Sequence, residues 1–141
     1  MVDTFLHENF IQMKKSILLS KSDFKFLSEH LEKAIMSDYN KSRLRAEIKD
    51  ATVFNDDELP ADVVSLNSEA RIISTADQKE FVFKLVLPKE ADIKQHKVSI
   101  FAPISIALLG YQTNDLIEWE MPDGIKEFKI LEVTRLEKSA L

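Results

Sequence analysis

The sequence predicts an α+β fold, in which an N-terminal short antiparallel helical hairpin precedes an antiparallel sheet with one short helix. Apolar residues recur at helical spacing in the first third of the chain, which indicates two amphipathic helices. Apolar and polar residues then alternate in several short runs, and turn residues such as Pro122-Asp123-Gly124 separate them. The length of 141 residues suits one domain, or one small domain with an appended element.

Composition and charge exclude several classes of function. The chain has no cysteine, so disulfides and thiolate metal sites are excluded. Its net charge of −5 argues against a general nucleic-acid binder, which needs a basic face to displace phosphate counterions. No apolar run approaches the ~20 residues of a membrane span, and residues 1–12 lack a signal-peptide pattern. We therefore expect a cytoplasmic protein that binds a protein partner and does not bind a membrane.

The chain is expected to begin with an extension, residues 1–14. Met13 is followed by two lysines, so it can be the natural start, and residues 1–12 would then be an upstream extension. The alternative is a frayed terminus.

Residues 15–56 are predicted to form the helical hairpin. Ser22 is a candidate N-cap for a helix over residues ~22–37, and either Asn40 or Ser42 can cap a second helix over ~41–52. The turn between the helices, which is the hairpin tip, consists of Ser37, Asp38, Tyr39 and Asn40. Residues 52–61 are interpreted as a polar connector.

Residues 57–141 are predicted to form the sheet domain. Runs around residues 69–75, 81–87, 98–100, 117–121 and 128–130 fit four or five mostly antiparallel strands. Pro103 and Gly110 bracket a short helix, because proline is favoured at the first helical position and glycine just past the end. Trp119 shares a strand face with Ile117 and Met121, which favours a core position over a binding anchor.

The chemistry-bearing residues do not form a recognisable active site. The histidines at positions 7, 30 and 96 have no metal-binding spacing, and His30 is interpreted as solvated. A phosphate-binding glycine loop and a serine nucleophile motif are both absent from the sequence. The basic residues of the second helix fit a solvated face, or alternatively a patch for an acidic partner: Lys41, Arg43, Arg45 and Lys49. We therefore predict no catalytic residues, no metal, no cofactor and no enzyme activity.

Several motifs resemble those of a known family. Residues 63–68 are similar to the DVVxxNS entry of its C-terminal domain. Residues 102–110 resemble an APxxxALLG helix, Asn114-Asp115 stands where the family usually has Gly-Asp, and Trp119 with Pro122 and Gly124 resembles a WExPxG turn. Over residues 15–135 the chain resembles the bacterial GreA/GreB transcript-cleavage and elongation factors, and more closely the short-hairpin branch of the regulator of nucleoside diphosphate kinase (Rnk).

The resemblance implies an FKBP-like sheet domain that docks on bacterial RNA polymerase at the rim of its secondary channel. The loop entering the short helix makes this contact in the family, so the matching protein-binding residues are Phe101, Ala102, Pro103 and Ile104. The cleavage factors usually have serine at position 102, and alanine there is shared with the Rnk-like branch. The resemblance implies no direct sequence-specific binding to nucleic acid.

The short hairpin suggests how the protein acts. A helix of about 16 residues spans only ~24 Å, much less than the long family arm that carries acidic residues to the polymerase metal site. The tip offers Asp38 but no acidic pair. The expected function is therefore that of a polymerase-binding regulator without transcript-cleavage activity, which competes with other channel-binding factors.

Three alternatives remain open at this point. The protein can be a true cleavage factor with Asp38 as the working acid. It can instead be an interaction module that does not act on polymerase, such as a kinase regulator. An FKBP-like prolyl isomerase would need an open pocket lined by aromatic rings, for which the candidates are Phe81, Phe83, Phe101, Trp119 and Phe128.

Overall fold

The computed structural model describes residues 16–136 and confirms an α+β architecture. The chain elements are β1 (Leu18–Ser20), α1 (Lys21–His30), a 3₁₀ turn (Leu31–Lys33), α2 (Asp38–Lys49), β2 (Thr52–Phe54), β3 (Ser68–Ser74), β4 (Glu80–Val86), β5 (Lys97–Ser99), α3 (Pro103–Leu108), β6 (Leu116–Met121) and β7 (Gly124–Arg135). Two further 3₁₀ turns, Pro88–Glu90 and Ile93–Gln95, lie between β4 and β5. The segment from α1 to α2, residues 21–49, is called the helical arm below.

The main sheet has five strands in the order β5-β4-β3-β7-β6. Neighbouring strands are antiparallel except β4 and β5, which are parallel. The sheet is therefore mixed, and the expectation of an antiparallel sheet was wrong at this edge. The physical reason is the crossover of residues 87–96, which carries the chain back before β5 begins, whereas a tight hairpin would have reversed its direction.

A second, two-stranded sheet joins the start and end of the helical arm. β1 and β2 are parallel, with Leu18 opposite Thr52, and the Thr52 N–H donates to the Ile17 carbonyl at 3.0 Å. The interpretation of residues 52–61 as connector alone was therefore wrong for the first three residues. On its other side β1 is bound to the main domain, because Leu18 N–H donates to the Gly110 carbonyl at 2.9 Å.

The two arm helices begin earlier than predicted. Ser20, not Ser22, caps α1 by accepting from the Asp23 N–H at 3.0 Å. Ser37, and neither Asn40 nor Ser42, caps α2 by accepting from the Asn40 N–H at 3.1 Å. Both serines have extended backbone, which is the conformation that brings the hydroxyl onto the first turn. The helices also end earlier than predicted. Residues 34–37 are not helical, and the second helix ends at Lys49.

The core lies between the main sheet, α3 and the arm. Its largest fully buried side chains come from all three parts, including Leu27, Leu44, Ile72, Leu108 and Ile130. The predicted core position of Trp119 is confirmed by a side chain that is only 9% exposed. The predicted short helix is confirmed as α3, with Pro103 at its first position and Gly110 beyond its end.

Two predictions about the organisation of the chain are not tested by the structure. The proposed extension of residues 1–14 lies outside the described residues. The division into residues 15–56 and 57–141 stays a prediction. Among residues 16–136, no helix is long and apolar enough to cross a membrane.

Candidate partner-binding site

The predicted contact residues Phe101–Ile104, called the docking loop here, lie at the junction of β5 and α3, and Pro103 and Ile104 are already the first two residues of α3. Phe101 is 48% exposed, more than any other phenylalanine among the exposed large hydrophobic residues of the described part. Pro103 is also exposed, whereas Ala102 and Ile104 are partly buried. The loop therefore presents a ring and a proline to the outside, while the residues beside them anchor it.

The docking loop is held by hydrogen bonds to Ser99 that lie before the helix, because α3 has no side-chain cap. Ala102 occupies the N-cap position of α3 and cannot provide a side-chain bond. Ser99 of the preceding strand binds the loop itself: its Oγ accepts from the Phe101 N–H at 3.1 Å, and its carbonyl accepts from the Ala102 N–H at 2.9 Å. The buried Ser105 hydroxyl donates to the same carbonyl at 2.7 Å. Two serines thus fix the backbone that displays Phe101.

The exposed ring of Phe101 also contacts the helical arm. Phe26 and His30 lie one turn apart on α1, with ring centroids 4.8 Å from each other. The Phe101 centroid lies 5.1 Å from that of Phe26 and 5.0 Å from that of His30. These three residues are called the ring cluster below. The interpretation of His30 as a solvated histidine was wrong, because an amphipathic pattern does not reveal which loop reaches a helix.

The prediction of a turn over residues 37–40 was wrong, because residues 38–40 form the first turn of α2 and the link between the helices is residues 34–37. The four predicted tip residues are still called the tip below, and they are bound to the opposite edge of the sheet. Asp38 and Tyr39 are exposed, and the Tyr39 hydroxyl lies 3.4 Å from Glu118 Oε2 on β6. Ser37 serves as the cap of α2, as described above. The docking loop adjoins β5 and the tip adjoins β6, so the two predicted sites occupy opposite edges of the sheet.

Asn40 attaches the tip to edge strand β6. Its side chain is only 2% exposed. The amide Nδ2 donates to the Glu120 carbonyl at 3.1 Å, and its Oδ1 accepts from the Glu120 N–H at 2.9 Å. The side-chain amide thus makes the bonds that a peptide of a neighbouring strand would make, which protects an otherwise open edge.

We expect Asn40→Ala to lower the free energy of unfolding by about 2 kcal/mol, because the Glu120 peptide loses two hydrogen-bond partners at a part-buried position. Urea unfolding measures the change. Asn55→Ala is the matched control, since Asn55 is exposed and its side-chain amide donates to the nearby Glu58 carboxylate at 2.6 Å. Equal losses in the two variants would show that the bonds to β6 contribute nothing.

The basic residues of α2 do not form one solvated face. Arg43 turns towards the sheet, where Nη1 donates to the Tyr111 hydroxyl at 2.7 Å. Its guanidinium carbon lies 5.9 Å from the ring centroids of both Tyr111 and Trp119, within cation–π range. Lys41 and Arg45 bind Glu32 of the preceding turn instead. The helical pattern could not show that the Arg43 side chain lies between the arm and the sheet, because that contact depends on where the sheet packs.

The aromatic residues that an isomerase pocket would need are separated. Phe81 contacts Phe83 and Phe128, with ring centroids 6.3 and 6.4 Å away. Phe101 belongs to the ring cluster, and Trp119 lies against Arg43. The isomerase alternative therefore lacks the single aromatic pocket that it required.

The charged side chains of the described part include one strongly perturbed carboxyl but no metal-binding group. No set of three His, Asp or Glu side chains within residues 16–136 is placed to hold a metal ion. Burial raises the pKa of Asp23 to about 6, and the nearby Asp56 adds to the rise. Asp23 lies in the first turn of α1, at the start of the arm.

Comparisons with known proteins agree on one family. The family model described as transcription elongation factor, GreA/GreB, C-terminal, matches residues 59–135. Transcription elongation factor GreA of Acetivibrio thermocellus is 34% identical over 88 residues, which cover 62% of this chain and 55% of the relative. GreA of Clostridium beijerinckii is 33% identical over the same shares. The chain thus spans about half the length of the curated relatives it matches.

A solved structure extends the similarity beyond the matched region. The prokaryotic transcription elongation factor GreA/GreB from Nitrosomonas europaea is 37% identical, with a TM-score of 0.61. The match covers 86% of this chain and 99% of that chain, which is more of this sequence than the family model matches. The family resemblance is confirmed, and the assignment to the Rnk-like branch stays a prediction.

The expectation that this protein is not an enzyme is contradicted by these relatives. They are named GreA, and Gre factors stimulate RNA hydrolysis by polymerase. The expectation rested on the absence of a complete active site from the sequence. That absence does not exclude a factor that stimulates a reaction of its partner, because such a factor needs no nucleophile or metal set of its own.

Proposed function

Because this chain belongs to the GreA/GreB family of transcription elongation factors, we propose that it binds bacterial RNA polymerase at the rim of the secondary channel and regulates transcription there. The sheet domain would be FKBP-like and would make the primary contact. The helical arm would be a shortened form of the family hairpin and would occupy the channel mouth.

The exposed, immobilised docking loop is the observation that carries this proposal. It lies inside the family-matched region, and its ring and proline face outward from a backbone fixed by Ser99 and Ser105. Aromatic side chains held in place are typical anchors of protein interfaces. A loop that is already ordered loses little conformational entropy when a partner binds.

The arm contributes a second, smaller surface in this proposal. Of the four tip residues, Ser37 caps α2 and Asn40 attaches the start of α2 to β6. Asp38 and Tyr39 remain exposed and are therefore the tip residues available to a partner. Competition with other channel-binding factors would follow from occupation of the channel mouth.

Binding to core RNA polymerase, with a known GreA factor as competitor, tests the proposal. We expect saturable binding that the competitor displaces, since both proteins would occupy one site. Binding that persists at saturating competitor would place the protein elsewhere on the enzyme. The absence of binding at micromolar concentration would refute a polymerase partner.

The double variant Phe101→Ala, Pro103→Ala is expected to weaken polymerase binding by about 30-fold, which corresponds to ~2 kcal/mol. The variant removes the exposed ring and the rigid turn without changing buried contacts of the sheet. Fluorescence anisotropy with labelled polymerase measures the dissociation constant. Ile125→Ala is the control, because Ile125 is 50% exposed but lies beside the β6–β7 turn. A similar loss in both variants would contradict a specific docking loop.

A further inference from the structure

We propose that helix α1 is part of the docking surface, with Phe26 and His30 positioning Phe101 for a polymerase surface that is apolar and bordered by carboxylates. This inference rests on the proposed function and adds residues that lie outside the family-matched region. The arm would then contact the partner through Phe26 and His30 of α1 as well as through its tip.

The geometry of the ring cluster supports a positioning role. The three centroids lie between 4.8 and 5.1 Å apart, and Phe101 meets both partners edge to face, at interplanar angles of 62° and 81°. Such arrangements are attractive because the positive edge of one ring meets the negative face of another. The hydrogen bonds of Ser99 fix only the backbone of the loop, so the contacts with α1 determine where the Phe101 ring points.

Positioning matters because Phe101 is half exposed. A free ring would sample several rotamers, and a partner would have to select one of them. Phe26 and His30 restrict that choice before binding. Both are themselves only partly buried, so their outer edges continue the apolar surface of the docking loop onto the arm.

The lysines of the segment that leads to the docking loop indicate the charge of the partner surface. Residues 84–103 contain four lysines against Glu90 and Asp92, a net charge of +2 in a chain that carries −5, and one of these lysines, Lys84, pairs with Glu69 at 4.0 Å. Lys89 and Lys94 of this segment are exposed. The segment lies at the β5 edge, because the Ile100 N–H donates to the Val86 carbonyl at 2.8 Å and so joins the ends of β4 and β5. A basic border in an acidic protein fits a partner that presents carboxylates around an apolar contact.

A double-mutant cycle on polymerase binding tests the positioning role. We expect Phe101→Ala to weaken binding about 10- to 30-fold, and Phe26→Ala about 5- to 10-fold. The double variant should bind no worse than Phe101→Ala alone, because Phe26 acts through the ring that is already missing. Phe81→Ala is the matched control: Phe81 is 40% exposed and packs on Phe83 and Phe128, away from the docking loop.

His30→Gln provides a second test if Phe26→Ala disturbs folding. It removes one ring contact from a helix surface, and we expect binding to weaken about threefold with an unchanged melting temperature. Charge reversal at Lys89 and Lys94 to glutamate should weaken binding several-fold and reduce its dependence on salt.

The outcomes separate this inference from the proposed function. If Phe101→Ala weakens polymerase binding as expected but Phe26→Ala and His30→Gln bind normally, the positioning role is overturned and polymerase docking remains. Multiplicative losses in the double variant would also overturn it. Normal binding after charge reversal would overturn the carboxylate border. Failure of the unaltered protein to bind polymerase would refute the proposed function itself.

Discussion

Replacing Gly110 by alanine is expected to lower the free energy of unfolding by about 4 kcal/mol, the largest effect of any substitution proposed for this chain. Gly110 has φ +89°, a conformation that an L side chain adopts only under strain. A Cβ there would lie 3.0 Å from both Ile17 Cβ and Leu19 Cδ2. Both neighbours are buried, and β1 is bound through the Gly110 carbonyl, so the strand cannot move away without losing that bond.

Gly124→Ala is the matched control for this prediction. Gly124 also has a positive φ, +129°, but no atom lies within 4 Å of the position that a Cβ would take there. Its replacement should therefore cost only backbone strain, about 1–3 kcal/mol. Chemical denaturation of both variants measures the difference. Equal losses would show that the contact between Gly110 and β1 has no energetic importance.

Asp23→Asn is expected to stabilise the protein at neutral pH, by at most about 3 kcal/mol. Burial raises the pKa of Asp23 from 3.8 to about 6, with a further rise from Asp56, while the Leu66 N–H and Arg135 oppose it. The folded state therefore binds the proton more tightly than the unfolded state. The stabilisation that comes from proton binding at Asp23 is complete below pH 3.8 and is lost as the pH rises through about 6. Asparagine carries no charge and avoids this loss.

Unfolding measured between pH 4 and pH 8 tests the sign of this effect. The Asp23→Asn curve should be flatter than that of the unaltered protein from pH 4 to pH 6, and should lie above it at pH 7. Asp77→Asn provides a control of opposite sign, because a hydrogen bond from the Lys79 N–H lowers the pKa of Asp77. That variant should be less stable at neutral pH. Parallel curves for Asp23→Asn and the unaltered protein would contradict the assignment.

The sheet domain was largely predictable because its signals are local. Alternating apolar residues in β4, the Pro122-Asp123-Gly124 turn and the Pro103 start of α3 each depend on a few neighbouring residues. The parallel β4–β5 pair was missed because the two 3₁₀ turns of the crossover have no strong periodicity. The β1–β2 pair was missed because the whole arm separates the two strands, and a pairing between such distant segments leaves no local signal.

The sequence indicated that the proposed docking loop lies at the start of α3, but it did not indicate what surrounds that loop. The motif of Ala102 and Pro103 indicated the docking loop, and Pro103 lies exposed at the surface. Nothing in the sequence indicated that His30 would contact Phe101, or that Asn40 would bind β6. These pairs are 71 and 80 residues apart, so they depend on how the arm packs against the sheet.

The sequence by itself determined the fold class, the positions of α3 and its bounding proline and glycine, and the family to which the chain belongs. These follow from short-range periodicity, backbone preference and motif identity, which are properties of neighbouring residues. Only the tertiary structure decided that the arm lies back against the sheet, with its middle on the docking loop and its tip on the far edge. That arrangement is set by the mutual burial of Leu27, Leu44 and the sheet core, and by the side-chain amide of Asn40, contacts that form only when distant segments pack together.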